Sequence, residues 1–227
     1  MEDRQPTGLL LEMIDGPDPA EVGRWQQEVA IPKALASGWF THGTAFRNAR
    51  PDESRFQQKV DGFSHLTVYE LSRPDVAWAC TDGLPRGEGG IRVVNRFLFS
   101  RYPRASQGRL SGKPTLGIFL ILISPTERAR AQELRDWADF THIHGIAAAS
   151  PDGFTMITPY ENAMGSDPLF LHFYELDTNN PVAAVDDMPN AVVRKWGFEF
   201  GDEDFLRWAM SDALDIWYVN VFERVKL

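Results

Sequence analysis

Five histidines stand in this chain, His42, His65, His142, His144 and His172, and imidazole is the side chain best suited to moving a proton near neutral pH. His142 falls near the end of a predicted helix. Asp139 precedes it by three residues, which on a helix puts the carboxylate on the same face, where it would orient the imidazole and stabilise its charged form. His142 is therefore the expected general acid or base. His144 follows two residues later as a second imidazole, and Trp137 supplies an aromatic wall on the same helix. His172 and Tyr174 alternate onto one face of a predicted strand, an acid–base pair on the wall of a barrel interior. Tyr160, on the neighbouring strand, is expected to add a hydroxyl to that cavity, and Tyr69, with Thr67, holds the corresponding place in the first half. A metal would need a third ligand beside His142 and His144, and with no cysteine pair and no His-Glu-x-x-His none is expected. The stretch Gly87-Glu88-Gly89-Gly90 is acidic and leads into a strand, which suits a turn and not a phosphate loop, so no nucleotide cofactor is expected either.

The composition bounds the possibilities further. The 227 residues are 43% hydrophobic and 24% charged, with fifteen Phe and seven Trp, a content that folds and buries a core. The formal net charge of -9 repels a polyanion, so no nucleic-acid partner is expected. Cys80 is the only cysteine, which excludes an intrachain disulfide and a thiolate cluster and fits a cytoplasmic location. The longest apolar run, 116–123, is far too short for a membrane-spanning helix.

Positioning these side chains falls to a pattern written twice. His65-Leu66-Thr67-Val68-Tyr69-Glu70-Leu71 and Leu171-His172-Phe173-Tyr174-Glu175-Leu176 share Tyr-Glu-Leu and both read as strands. In the first half, strands are predicted at 8–14, 39–46, 64–71 and 91–100, with a helix from Pro19 carrying Trp25 and a short helix at 74–79. In the second half they fall at 115–124, 154–160, 168–177 and 216–224, with a helix over 125–142 carrying Trp137 and helical segments at 191–196 and from about 202. A Ser-, Gly- and Arg-containing stretch, 104–114, reads as the linker. The order βαββαβ in each half predicts an α+β protein of two tandem ferredoxin-like repeats, residues 1–110 and 111–227. Their antiparallel sheets are expected to cover each other and close into an α/β barrel, with a homodimer allowed but not required.

The first helix of each half carries a resemblance. Trp25-Gln26-Gln27-Glu28-Val29-Ala30-Ile31-Pro32 and Trp137-Ala138-Asp139-Phe140-Thr141-His142-Ile143-His144 are similar to the helix of EthD-type proteins in the dimeric α/β-barrel superfamily, where a Trp is followed by a His, an apolar residue and Pro. The first copy keeps the Trp and Ile-Pro but has Ala30 at the His position; the second keeps the Trp and His but has His144 at the Pro position. The resemblance implies that the second half keeps the chemistry. Members of the superfamily include isomerases, cyclases, dehydratases, cofactor-free monooxygenases, haem-binding enzymes and accessory proteins. The expectation is an enzyme without a cofactor, performing elimination, cyclisation or isomerisation of an apolar carbonyl or aromatic, polyketide-like metabolite by general acid–base catalysis. The alternative is an accessory protein that binds a hydrophobic metabolite or haem, the latter through His142 or His172.

Overall fold

The computed structural model describes every residue except Asp3, Ser54, 74–82 and Leu227. The helix expected at 74–79 lies outside the described residues. The first half runs β1 (Gly8–Asp15), α1 (Pro19–Trp25), a π-helical turn (Gln26–Ala30), α2 (Ile31–Ala36), β2 (Phe40–Asn48), β3 (His65–Leu71) and β4 (Arg92–Arg101). The second runs β6 (Gly117–Pro125), α3 (Ala131–Trp137), a π-helical turn (Ala138–His142), α4 (Ile143–Ala149), β7 (Phe154–Asn162), β8 (Phe170–Leu176), α5 (Pro181–Trp196), α6 (Glu203–Ala209) and β9 (Leu214–Arg224). Between them the expected linker holds a two-residue strand, β5 (Gln107–Gly108), which pairs with β7.

The caps follow from the sequence. Asp18 accepts from the Ala20 amide ahead of Pro19, and Asn180 accepts from the Ala183 amide ahead of Pro181, so each side chain satisfies a helix donor that has no partner within the helix. Asp202 does the same for Phe205 at the start of α6. Helix α5 is longer than the predicted 191–196 because Val185, Met188, Ala191 and Val192 fall three and four apart on one buried face, which carries the helix through Pro189.

All pairings in the nine-stranded sheet are antiparallel, in the order β4-β1-β3-β2-β9-β6-β8-β7-β5, and β7 also pairs with β4 at Phe99↔Asn162. Within each half the order is fourth, first, third, second strand. Each half also shifts register at matching places: between Met13 and Ile14 and between Leu122 and Ile123 on the first strands, and after Phe40 and Phe154 on the second.

The two faces of the sheet pack differently, and this corrects the expected hollow between the halves. Leu9, Leu11, Met13, Phe46 and Phe99 of the first half meet Ile118, Leu120, Leu171, Phe173 and Phe222 of the second in one core. That shared face is filled. Tyr160 belongs to it, edge-on to Phe173, and so lies on the opposite side of the sheet from His172 and Tyr174. Tyr174, with Phe119, Val219 and Val221, packs instead against Ile143, Ile146, Val192 and Trp208 of the helices. The period-two alternation placed His172 and Tyr174 together correctly, but helices cover the face they share.

Candidate functional site

Residues from strands and helices of the second half enclose an apolar recess of about 240 Å³. Phe119, Ile121 and Ile123 of β6, His172 of β8 and Leu214, Ile216 and Val219 of β9 form its floor. Trp137, His142, Met188, Pro189, Phe205, Trp208, Ala209 and Met210 form the helical side, and Phe56 reaches in from the loop after β2. Among the described residues the two histidines are the only hydrogen-bonding side chains there besides the indoles, and none of those lining it is charged.

His142 closes the π-helical turn, half-buried, with its ring stacked between Trp137 and Trp208 at 5.2 Å from each. Its Nδ1 lies 3.1 Å from the Trp208 carbonyl, and because a carbonyl only accepts, the proton sits on Nδ1 and the lone pair on Nε2. Trp208 Nε1 donates to the His142 carbonyl at 3.1 Å, and Trp137 Nε1 to the Arg207 carbonyl at 3.0 Å, so α6 is held to this turn by reciprocal bonds. Gly145 makes the approach feasible: a Cβ there would stand 2.7 Å from the Trp208 ring. Burial lowers the His142 pKa to about 4, which keeps the ring neutral at pH 7.

His172 is 2% exposed, and its Nε2 has no hydrogen-bond partner. Burial, the nearby Arg135 charge and His142 push its pKa well down. Tyr174 lies deeper, between Phe119 and Phe154, with its hydroxyl also without a partner and its pKa raised by burial.

Asp139 does not orient His142. Its carboxylate takes a two-pronged bond from Arg135, Nε at 3.0 Å and Nη2 at 2.8 Å, and a third from Arg104 Nη1 at 3.1 Å. Arg135 is fully buried, with its guanidinium 4.7 Å from the ring centres of both Tyr102 and Phe170. Four residues separate Arg135 from Asp139, so the helix itself brings them together, and the Arg-x-x-x-Asp spacing was the signal that sequence reasoning missed. The presumed linker joins this network too: Gln107 Nε2 donates to the Asp139 carbonyl at 2.7 Å, within the π-helical turn.

The other expected site residues lie elsewhere. His144 is exposed and tilted against Trp196, outside the recess, because the helix turns it away from His142. Tyr69 packs under the first-half helices and donates to Glu12, itself paired with Arg96 at 2.6 Å. The first half has a groove of about 610 Å³ beside α1, lined by Arg24, Arg47 and His65 among others, and it has Gly23, Gln27, Ala30 and Thr67 where the second half has Arg135, Asp139, His142 and His172. Among the described residues no group of three or more His, Cys, Asp or Glu could hold a metal ion, and no helix is long and apolar enough to cross a membrane.

The buried histidines have a consequence for stability. Burial holds His65 at about 4, like His142, below the ordinary 6.5. Between pH 6.5 and about 4 the unfolded chain therefore binds more protons at each site, and stability rises with pH by about 1.4 kcal/mol per unit for each histidine. Glu12 and Glu175, raised by burial, oppose this above 4.5, since the folded chain keeps their protons longer. The contribution of one histidine is isolated by difference: urea unfolding of His65→Asn against the native chain should diverge with pH across that window. A difference independent of pH would show that His65 titrates alike in both states.

No protein-family model matches the chain, and no curated protein matches it in sequence. Its fold is found in solved structures. A protein described as a monooxygenase from Fusobacterium nucleatum has a TM-score of 0.54 at 8% identity, covering 97% of this chain and 93% of that one. A variant of chlorite dismutase from Candidatus Nitrospira defluvii, in complex with cyanide, scores 0.56 at 9% identity over 99% and 93%. An encapsulated DyP-type peroxidase from Mycobacterium smegmatis scores 0.56 at 9% identity over 96% and 92%. The likeness is one of fold, ferredoxin-like α+β, and it does not single out the EthD type. It corrects the expected function: these neighbours are oxidative enzymes and not cofactor-free lyases or isomerases. The expectation of no cofactor falls with it, since the neighbours include a chlorite dismutase and a DyP-type peroxidase.

Proposed function

We propose that the chain is an oxidative enzyme acting on a small apolar molecule, with haem as its cofactor and the recess around His142 as its active site. The observation that carries the reading is the state of His142: a neutral imidazole whose Nδ1–H is committed to a backbone carbonyl and whose Nε2 lone pair is left for a ligand. That is the form in which a histidine holds a metal, the carbonyl fixing the tautomer and the ring angle. Apolar and aromatic walls surround the site, and the Nε2 of His172 stands unpartnered among them. A recess of about 240 Å³ suits a small aromatic molecule, so a porphyrin would need one wall to yield.

Haem would supply the one-electron and oxygen chemistry. The chain's own part is to hold the Nε2 lone pair in place, to exclude water with Phe119, Ile121, Phe205 and Trp208, and to keep His172 neutral beside the bound molecule. The test is a titration of the full chain with haemin: a one-to-one complex with a sharp, red-shifted Soret band is expected, and a featureless, non-saturating absorbance would reject the cofactor.

In this reading residues 1–110 and 111–227 are two copies of one βαββαβ unit whose sheets close into a barrel. Supporting it are the equal strand orders, the matching register shifts, the π-helical turns following Trp25 and Trp137, and the β2–β9 and β4–β7 pairings that join the halves at both edges. The second copy carries the site, and the first supplies the other wall of the shared core.

A further inference from the structure

We infer that the floor of the recess selects its occupant by one neutral oxygen: the molecule bound there is an apolar, one- or two-ring compound bearing a hydroxyl or carbonyl that hydrogen-bonds His172 Nε2. The inference rests on the recess being the active site, but not on haem.

Size sets the first limit. Apolar cavities of about 150 Å³ take a benzene ring, so about 240 Å³ is room for two fused rings. Lining sets the second. Phe119, Ile121, Ile123, Val219 and their neighbours offer nothing to a polar group, and the guanidinium whose charge reaches His172, that of Arg135, is already neutralised by Asp139. A carboxylate or phosphate placed there would lose its water and find no cation in return.

His172 sets the third limit. Among the described residues of the wall it is the one side chain that is almost wholly buried and has a polar atom without a partner. Such an atom costs stability when left alone and rewards whatever satisfies it. The ring is neutral, so Nε2 either donates to a carbonyl or hydroxyl oxygen or accepts a hydroxyl proton. His142 does not compete for this role through Nδ1, which the Trp208 carbonyl occupies. In the first half Thr67 stands at the corresponding place on β3, with its hydroxyl bonded to Gln26 Nε2 at 2.9 Å; there the polar atom is satisfied from within the chain, and on β8 it is left for a ligand.

The experiment uses haem-free protein and three probes of one shape, naphthalene, 2-naphthol and 2-naphthoate, titrated by ligand-detected NMR. The naphthol is expected to bind about tenfold more tightly than naphthalene, and the naphthoate most weakly. His172→Phe should erase the preference for naphthol while leaving naphthalene affinity in place. Equal binding of naphthol and naphthalene, tightest binding by the carboxylate, no binding by any probe, or a preference that survives in His172→Phe would each overturn the inference. Should that variant not fold, the order of the three probes on the native chain decides alone. A failed haemin titration beside the expected probe order would remove the cofactor and leave the ligand class standing.

Discussion

Replacing His142 by alanine should weaken haem binding by about 100-fold or more, equivalent to at least about 2.7 kcal/mol, because it removes the nitrogen that the Trp208 carbonyl prepares for a ligand. Free imidazole added to the variant should restore part of the Soret band by entering the slot between Trp137 and Trp208. The control is His172→Ala, which should keep the complex. If the two variants behave in the opposite way, His172 is the ligand; if both load like the native chain, the recess is not where haem sits. Acid gives an independent check. With His142 held at about 4, binding through Nε2 should stay level from pH 7 down to about 5 and fall only as the ring itself takes a proton.

The second large effect concerns Asp139, and here the structure reverses the role drawn from helical spacing. Asp139→Ala leaves the Arg135 guanidinium charged at 0% exposure, against the Tyr102 and Phe170 rings and near the Arg104 charge. Breaking a buried pair from one side costs about 3–5 kcal/mol, so urea unfolding should show a loss of that size. Replacing both partners, Arg135→Met with Asp139→Leu, should recover much of it, since two apolar side chains leave no charge stranded. A catalytic Asp139 would behave otherwise: the single variant would keep its stability and lose turnover, and the double variant would recover nothing. Arg104 makes the prediction sharper. It reaches the same carboxylate from a more exposed position, so Arg104→Ala should cost only about 1 kcal/mol.

The strands and the first helix of each half could be read from local signals alone: turn residues after Ile14, Pro at the first position of α1, and Tyr-Glu-Leu in both third strands. These depend on neighbours a few residues away, and the chain carries them without reference to the fold. The same local logic singled out His142 and His172 and put His172 on one strand face with Tyr174. It failed where the deciding partner was distant in sequence, and at Asp139 also because a near one, Arg135, went unread. Alternation says that His172 and Tyr160 each take one face of a strand, but which face meets the other half and which meets helices is settled by packing between remote segments, which puts Tyr160 in the shared core and His172 in the recess with Phe205 and Trp208 of α6. Spacing of three says that Asp139 and His142 share a helix face, yet Arg135 and the incoming Arg104 offer that carboxylate a full charge where a neutral imidazole offers none. Trp208, sixty-six residues from His142, sets its tautomer. Sequence determined which groups could do chemistry; only packing between remote segments determined their charge state, their partners and the direction they face, because those depend on what displaces water from them.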